Sequence, residues 1–318
     1  MNKKNENYKN ILIVGANGYL GSNLIEYLSG NSNYNITVMV NENINNIKNI
    51  KGINMYYFNR VSEYKLGSIL DNIDIIFYVA SIKNAKDYDR IYLENVIRPK
   101  NLAILASKHE VSKFIFTSSY QVNSLNNRLD EKNILKNYKL NYKTSKLILE
   151  KKLSELSNEK MSIYIIRFPM IVGKKMQGRL NFLFFAIKYN IPIPLKNSSY
   201  HLKLISMNNA IKILNLIKNY NSNKFTIFNF NTQINFTISE LLNKISIYNK
   251  KKVINFYLPN FFINIILKFF NNHPNHLTAN FFLNEKIEII SDSMNFFSLE
   301  SNIDKDLNKA FKNYLNKL

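Results

Sequence analysis

The chain has 318 residues, enough for one large or two unequal domains with buried cores, and its 46% hydrophobic and 20% charged residues are ordinary globular values that exclude a disordered, coiled-coil or fibrous protein. Lys and Arg outnumber Asp and Glu by 43 to 22, a net charge of +21, yet the lysines stand singly among Asn, Ile, Tyr and Phe, so no stripe follows a phosphate backbone and nucleic acid is not an expected partner. With no Cys there is no disulfide or thiolate chemistry, and His109, His201, His273 and His276 have no helical ligand spacing, so no metal site is expected.

The N-terminal MNKKNENYKN is polar and leads straight into a strand, so it reads as no secretory signal. Asn10-ILIV-Gly15 is that strand, followed by an amphipathic stretch from Gly21 to Leu28 and a second strand from Ile36 to Val40. A third strand fits Asn54 to Phe58, then a helix near Ser62 to Leu70, a buried strand from Ile73 to Ala80 and a helix from about Tyr92 to His109. Strand Lys113 to Thr117, a polar loop, a long helix from Tyr142 to Leu156 and strand Ser162 to Arg167 complete the first half. Strands that are apolar throughout and separated by helices predict an α/β fold, a doubly wound parallel sheet of the Rossmann type covered on both faces.

After Arg167 the rhythm breaks, five of the 6 Pro fall there, and Phe225 to Phe230 is the one obvious later strand. The expected division is a dinucleotide-binding domain at 1–167 and a smaller, mainly substrate-binding domain at 168–318, with about 204–235 returning to the Rossmann sheet. The apolar stretches Leu180 to Ile187 and Phe261 to Phe270 are shorter than the ~20 residues that span a bilayer, so a soluble, cytoplasmic protein is expected. The segment Pro259 to Phe270 reads as a helix packed on its own domain, with membrane-surface contact the alternative.

Gly15-Ala16-Asn17-Gly18-Tyr19-Leu20-Gly21 joins the first strand to the first helix and takes three of the 8 Gly into seven residues. In that context one glycine makes the tight turn, one admits backbone N–H groups to a pyrophosphate and one lets helix and strand pack closely. The helix dipole adds its positive end. The acidic residue expected to grip the adenosine ribose is replaced by Asn41, followed by Glu42, which favours NAD and leaves NADP open.

Ser118-Ser119 ends a strand at the carboxyl edge of the sheet, where such folds place their ligands. Tyr142 and Lys146 open the next helix at i, i+4 spacing, on one face. A tyrosine of pKa about 10 needs a nearby cation to act as a base near neutrality, which Lys146 supplies, while Ser119 holds the same substrate oxygen.

In order, GANGYLG (15–21), IDIIFYVAS (73–81), ENVIRPKNL (94–102), FIFTSSYQV (114–122), YKTSK (142–146), IIRFPMIVG (165–173), LISMNNAIK (204–212) and FNFNTQINFTISELL (228–242) resemble the extended short-chain dehydrogenase/reductases. This is the NAD-dependent epimerase/dehydratase family, typified by UDP-galactose 4-epimerase. The resemblance implies Ser119, Tyr142 and Lys146 as catalytic residues. It implies cofactor contacts from Gly15, Asn17, Gly18, Tyr19, Leu20, Gly21, Asn41, Ala80, Asn95, Tyr142, Lys146 and Phe168. It further implies a nucleotide-diphosphate sugar, a UDP-sugar, as substrate, and allows a homodimer.

Residues 169–183 and 190–209 resemble the branch of epimerases and 4-reductases that act on UDP-N-acetylhexosamines in surface-polysaccharide synthesis. The family usually has Arg before LISMNN, to bind the nucleotide diphosphate, where this chain has His201, Leu202 and Lys203. Arg179, Lys196 and Lys203 are therefore the expected substrate-binding cations, beside Ser119. The expected function is a nucleotide-sugar epimerase or 4-keto reductase using NAD. The alternative, a non-catalytic NAD(P)-binding sensor or scaffold of the same fold, is opposed by the intact Ser119, Tyr142 and Lys146.

Overall fold

The computed structural model describes residues 9–41, 52–83, 88–125, 131, 135, 140–157, 160–173, 179–195, 201–221, 225–230, 235–249 and 253–257. Glu42, Lys196, the segment Pro259 to Phe270, His273 and His276 lie outside them, as does the side chain of Arg179. The chain divides into two compact units, residues 1–168 with 211–230, and residues 169–210 with 231–318.

The first unit is built on seven strands: β1 (Lys9–Val14), β2 (Tyr34–Val40), β3 (Asn54–Tyr57), β4 (Ile75–Tyr78), β5 (Lys113–Ser119), β6 (Ser162–Phe168) and β10 (Phe225–Asn229). They pair in the order β10-β6-β5-β4-β1-β2-β3, and every pairing is parallel. The reason is in the side chains: all four residues of β4 are buried, as are the central five of β5 and the last six of β6. Strands with no polar face need cover on both sides, and helical crossovers between parallel strands supply it. Leu12, Val14, Ile76, Tyr78, Phe114, Phe116, Ile163 and Ile165 form one core with Leu102, Ala106, Leu149 and Leu153 of the covering helices.

Those helices are α1 (Tyr19–Leu28), α2 (Glu63–Leu70), α3 (Tyr88–Tyr92), α4 (Arg98–Lys108) and α5 (Tyr142–Ser154). Ser62 caps α2 by accepting from Lys65 N at 3.2 Å. The single helix expected from Tyr92 to His109 is instead α3, a π-helical turn at Leu93–Ile97, and α4. Pro99 explains the widening, since it has no N–H for the carbonyl four residues back, and Arg98 N bonds Leu93 O across five residues.

In the second unit β9 (His201–Ser206) pairs with β7 (Met170–Val172) in parallel and with β11 (Asn235–Thr237) antiparallel. A separate parallel pair joins β8 (Ile193–Leu195) to β12 (Asn255–Tyr257). Phe225 to Phe230 is therefore not the one later strand; four of these five have only three residues, too few to show an alternation. Helices α6 (Arg179–Lys188), α7 (Met207–Asn219) and α8 (Ile238–Asn249), and a short 3-10 helix at Tyr120–Ser124 that follows β5, complete the described elements. Of the stretch 204–235, residues 211–230 belong with the first unit through β10, whereas β9 belongs to the second through its two partners.

Candidate active site

The chain reverses its winding direction between β1 and β4, neighbours at the centre of the sheet whose crossovers run to opposite sides. A crevice opens at the carboxyl ends of such a pair. Gly15 leaves β1 at φ +89°, a left-handed conformation that disfavours any side chain, and a Cβ there would lie 2.6 Å from Ala80 N just past β4. A Cβ on Gly21 would lie 2.3 Å from Gly15 O. Gly18 differs: its φ is −70°, and a Cβ would meet only Gly15 O, at 3.1 Å.

The turn is closed by Gly15 N and Ala16 N donating to Met39 O of β2 and by Gly18 N donating to Gly15 O at 3.0 Å. Gly18 is also the N-cap of α1, with no side chain engaged in capping, and Tyr19 and Leu20 begin the helix. Asn17 lies within the turn, and Asn41 is exposed one residue past β2. Phe168 ends β6, stacked on Phe230 with ring centroids 5.8 Å apart.

Two strands along the sheet from β1, beyond the end of β5, α5 starts where its cap requires. Asn141 Oδ1 accepts from Lys143 N and Thr144 N, and Thr144 Oγ1 accepts from Asn141 N at 2.8 Å. This reciprocal cap makes Tyr142 the first helical residue, and Thr144 through Glu150 are all buried. Lys146 is 2% exposed, and its Nζ donates to Thr117 O at 2.9 Å while lying 4.3 Å from the Phe116 ring centroid and 5.6 Å from that of Tyr142.

The Tyr142 hydroxyl is hydrogen-bonded to Ser119, at the end of β5, and to Ser81, just past β4. Ser119, Tyr142 and Lys146 are thus brought together at one edge of the first unit. The charge balance departs from the expectation that Lys146 lowers the tyrosine: burial raises the Tyr142 hydroxyl above its ordinary value, and the Ser81 and Ser119 hydrogen bonds work against that. Lys146 itself falls to about 7, first from burial, then from repulsion by Lys83, with Glu150 opposing both. Lys83 Nζ stands 5.7 Å from the Tyr142 ring centroid.

Asn95 sits in the π-helical turn and is 2% exposed. Its Oδ1 accepts from Ile82 N at 2.9 Å, and its amide nitrogen donates to Ile82 O at 2.8 Å and to Ser145 Oγ at 3.1 Å. The side chain is spent on protein, so it holds the segment carrying Ser81 in place and docks it on α5. Ser81 is a polar residue that motif reading passed over. Its signal was positional, a hydroxyl closing IDIIFYVAS at the same carboxyl edge as Ser119. Lys203 lies on β9 in the second unit, half-buried.

A family model described as the NAD dependent epimerase/dehydratase family matches residues 11–188, more than half of the chain. The chain belongs to that family. A curated member-like relative, UDP-glucose 4-epimerase of Vibrio cholerae, is 24% identical over 220 residues, 65% of each chain, so the match spans just under two thirds of that relative's length. Among solved structures, a UDP-N-acetylglucosamine 4-epimerase from Methanobrevibacter ruminantium M1, in complex with UDP-N-acetylmuramic acid, superposes with a TM-score of 0.73. That alignment has 16% identity and covers 98% of this chain and 99% of the other. A mutant UDP-glucuronic acid 4-epimerase from Bacillus cereus, in complex with UDP-4-deoxy-4-fluoro-glucuronic acid and NAD, gives a TM-score of 0.74 at 14% identity, covering 97% and 100%. At such identities the two structures speak for the shared fold; the range matched by the family model includes the glycine turn, Ser119, Tyr142 and Lys146. No helix among the described residues is long and apolar enough to cross a membrane.

Proposed function

We propose that this protein is an NAD-dependent nucleotide-sugar epimerase, or a 4-keto reductase of the same family, acting at a sugar carbon of a UDP-sugar in the synthesis of surface-polysaccharide precursors. The observation that carries the reading is the meeting of Ser119, Tyr142 and Lys146 at the carboxyl edge of a sheet whose central switch point is closed by Gly15, Gly18 and Gly21. The fit of a dinucleotide rests on that turn: Gly18 keeps a surface that a side chain would fill, although its own backbone needs no glycine.

Gly15, Asn17, Gly18, Tyr19, Leu20 and Gly21 are the residues that would hold the pyrophosphate, Asn41 the ribose, and Ala80 and Phe168 the walls, with Asn95 acting through Ile82. Bound NAD supplies reversible oxidation of a sugar C–OH to a ketone, the redox part of the reaction. The protein's own residues move the proton and hold the oxygen. Tyr142 takes the proton from the sugar hydroxyl and returns it when the carbonyl is reduced, a step aided by Ser119, whose hydroxyl holds the same oxygen. Lys146, when protonated, would supply positive charge against the burial that raises Tyr142, and its ammonium would bond a ribose hydroxyl.

Arg179, Lys196 and Lys203 are the residues we assign to the substrate diphosphate. A lysine there offers charge without the planar fork of guanidinium, so diphosphate binding through Lys203 is less geometrically selective than through Arg. Mass spectrometry of the purified protein's bound ligands, followed by turnover assays with UDP-sugars, tests the proposal. Co-purifying NAD with interconversion of two UDP-hexoses indicates the epimerase, and turnover only with added NAD(P)H and a 4-keto sugar indicates the reductase. A protein that binds neither dinucleotide nor UDP-sugar refutes both.

A further inference from the structure

Alongside Tyr142 and Lys146, the buried face of α5 carries one more charge that the proposed chemistry does not use. Glu150 lies one turn beyond Lys146 and is 3% exposed. Its carboxylate accepts from the Ser118 hydroxyl, from Arg167 Nε at 3.1 and 3.2 Å, and from Arg167 Nη2 at 2.6 Å. Arg167, on β6, is 9% exposed and spends Nη1 on Asn123 Oδ1 at 2.7 Å, and Asn123 in turn donates to Asn229 of β10 at 2.8 Å. An apolar pair of similar volume would serve stability as well as this buried ion pair, because desolvation consumes the Coulombic gain.

Position offers the better reason for it. Three consecutive residues of β5 each engage a different turn of α5: Thr117 O accepts from Lys146, the Ser118 hydroxyl donates to Glu150, and Ser119 bonds Tyr142. A helix tied at three heights can neither rotate nor slide without breaking one of them. Lys146 is faced by Tyr142 and Glu150 on its own helix, by Lys83 from the segment after β4, and by the Phe116 ring and Thr117 carbonyl of β5. Of these groups Glu150 alone is acidic, and Arg167 faces it from β6.

We infer that Glu150 is a positioning residue for this site: paired with Arg167, it locks α5 in register with the end of β5 and so holds Tyr142 and Lys146 where they stand. The inference rests on the proposed dinucleotide site. In Glu150→Gln the shape is kept but Arg167 is left buried without its partner, so the paired variant Glu150→Gln/Arg167→Met, which removes both charges, is the main test. NAD affinity of the full-length protein is titrated from pH 6 to pH 9, with the thermal midpoint recorded at each pH, and Glu150→Asp serves as the conservative variant.

In the parent, affinity falls as pH rises through the point where Lys146 loses its proton. In the paired variant α5 loses its charged tie to β5 and β6, and affinity is roughly tenfold weaker across the range, while the pH at which it falls stays near the parent's because opposite charges leave together. Glu150→Asp restores part of the affinity. A folded paired variant with the parent's affinity overturns the inference alone. A parent that does not bind NAD at any pH overturns the dinucleotide reading, and the inference with it.

Discussion

The two outer positions of the glycine turn and its middle one make opposite demands, which a pair of alanine substitutions separates. In Gly21→Ala the new methyl would start 2.3 Å from Gly15 O and 3.0 Å from Ala16 Cα, both backbone, so α1 must move away from β1. Overpacking of that kind costs about 1–3 kcal/mol. For a unit of this size that is roughly 3–10 °C of melting temperature. In Gly18→Ala the backbone is already at φ −70° and the methyl has a single contact, at 3.1 Å, so the folded state loses at most about 1 kcal/mol, the difference between Gly and Ala as an N-cap.

Dinucleotide affinity should rank the other way. The Gly18 methyl would keep a pyrophosphate from one backbone N–H, and a lost charge-assisted hydrogen bond of about 1.5–3 kcal/mol weakens Kd by roughly 10- to 100-fold. Thermal unfolding and NAD titration of both variants give the comparison. If Gly18→Ala binds NAD as tightly as the parent, the loop is a turn and nothing more. If Gly21→Ala melts with the parent, the close approach of α1 to β1 is not what glycine serves there.

Tyr142→Phe keeps the ring and the cap of α5, so it should fold and bind NAD normally while turnover with the UDP-sugar falls at least ~100-fold, which steady-state kinetics will read. Lys146→Met should be more stable than the parent at pH 7. With Lys146 at about 7 in the folded protein and an unfolded lysine near 10.4, the unfolded chain binds a proton the folded one refuses between those values, so parental stability rises with pH across that window. The variant's advantage is therefore full below about pH 7 and fades toward pH 10, measured by denaturant titration, while its NAD affinity is lowered. Lys203→Ala should raise the KM for a UDP-sugar and leave NAD affinity unchanged, and equal KM values would remove Lys203 from the substrate site.

Much of this protein was legible as sequence because its signals are local. Apolar runs such as IIFY at 75–78 and FIFT at 114–117 can be satisfied only inside a parallel sheet, and three glycines in seven residues between a strand and a helix leave few other readings. Ser119, Tyr142 and Lys146 were found the same way, from strand-end position and i, i+4 spacing. What the sequence could not carry are the contacts between residues far apart along the chain. Asn95 binding Ile82 and Ser145, Ser81 reaching Tyr142, and Glu150 holding Ser118 and Arg167 join partners 13 to 61 positions apart, and no periodicity encodes them. The short strands β7, β8, β11 and β12 escaped for a related reason, since three residues hold no pattern until a partner strand defines them. Charge state was the last thing left to tertiary structure: Lys146 reads as an ordinary cation in the sequence, and only its burial beside Lys83, opposed by Glu150, brings it to about 7.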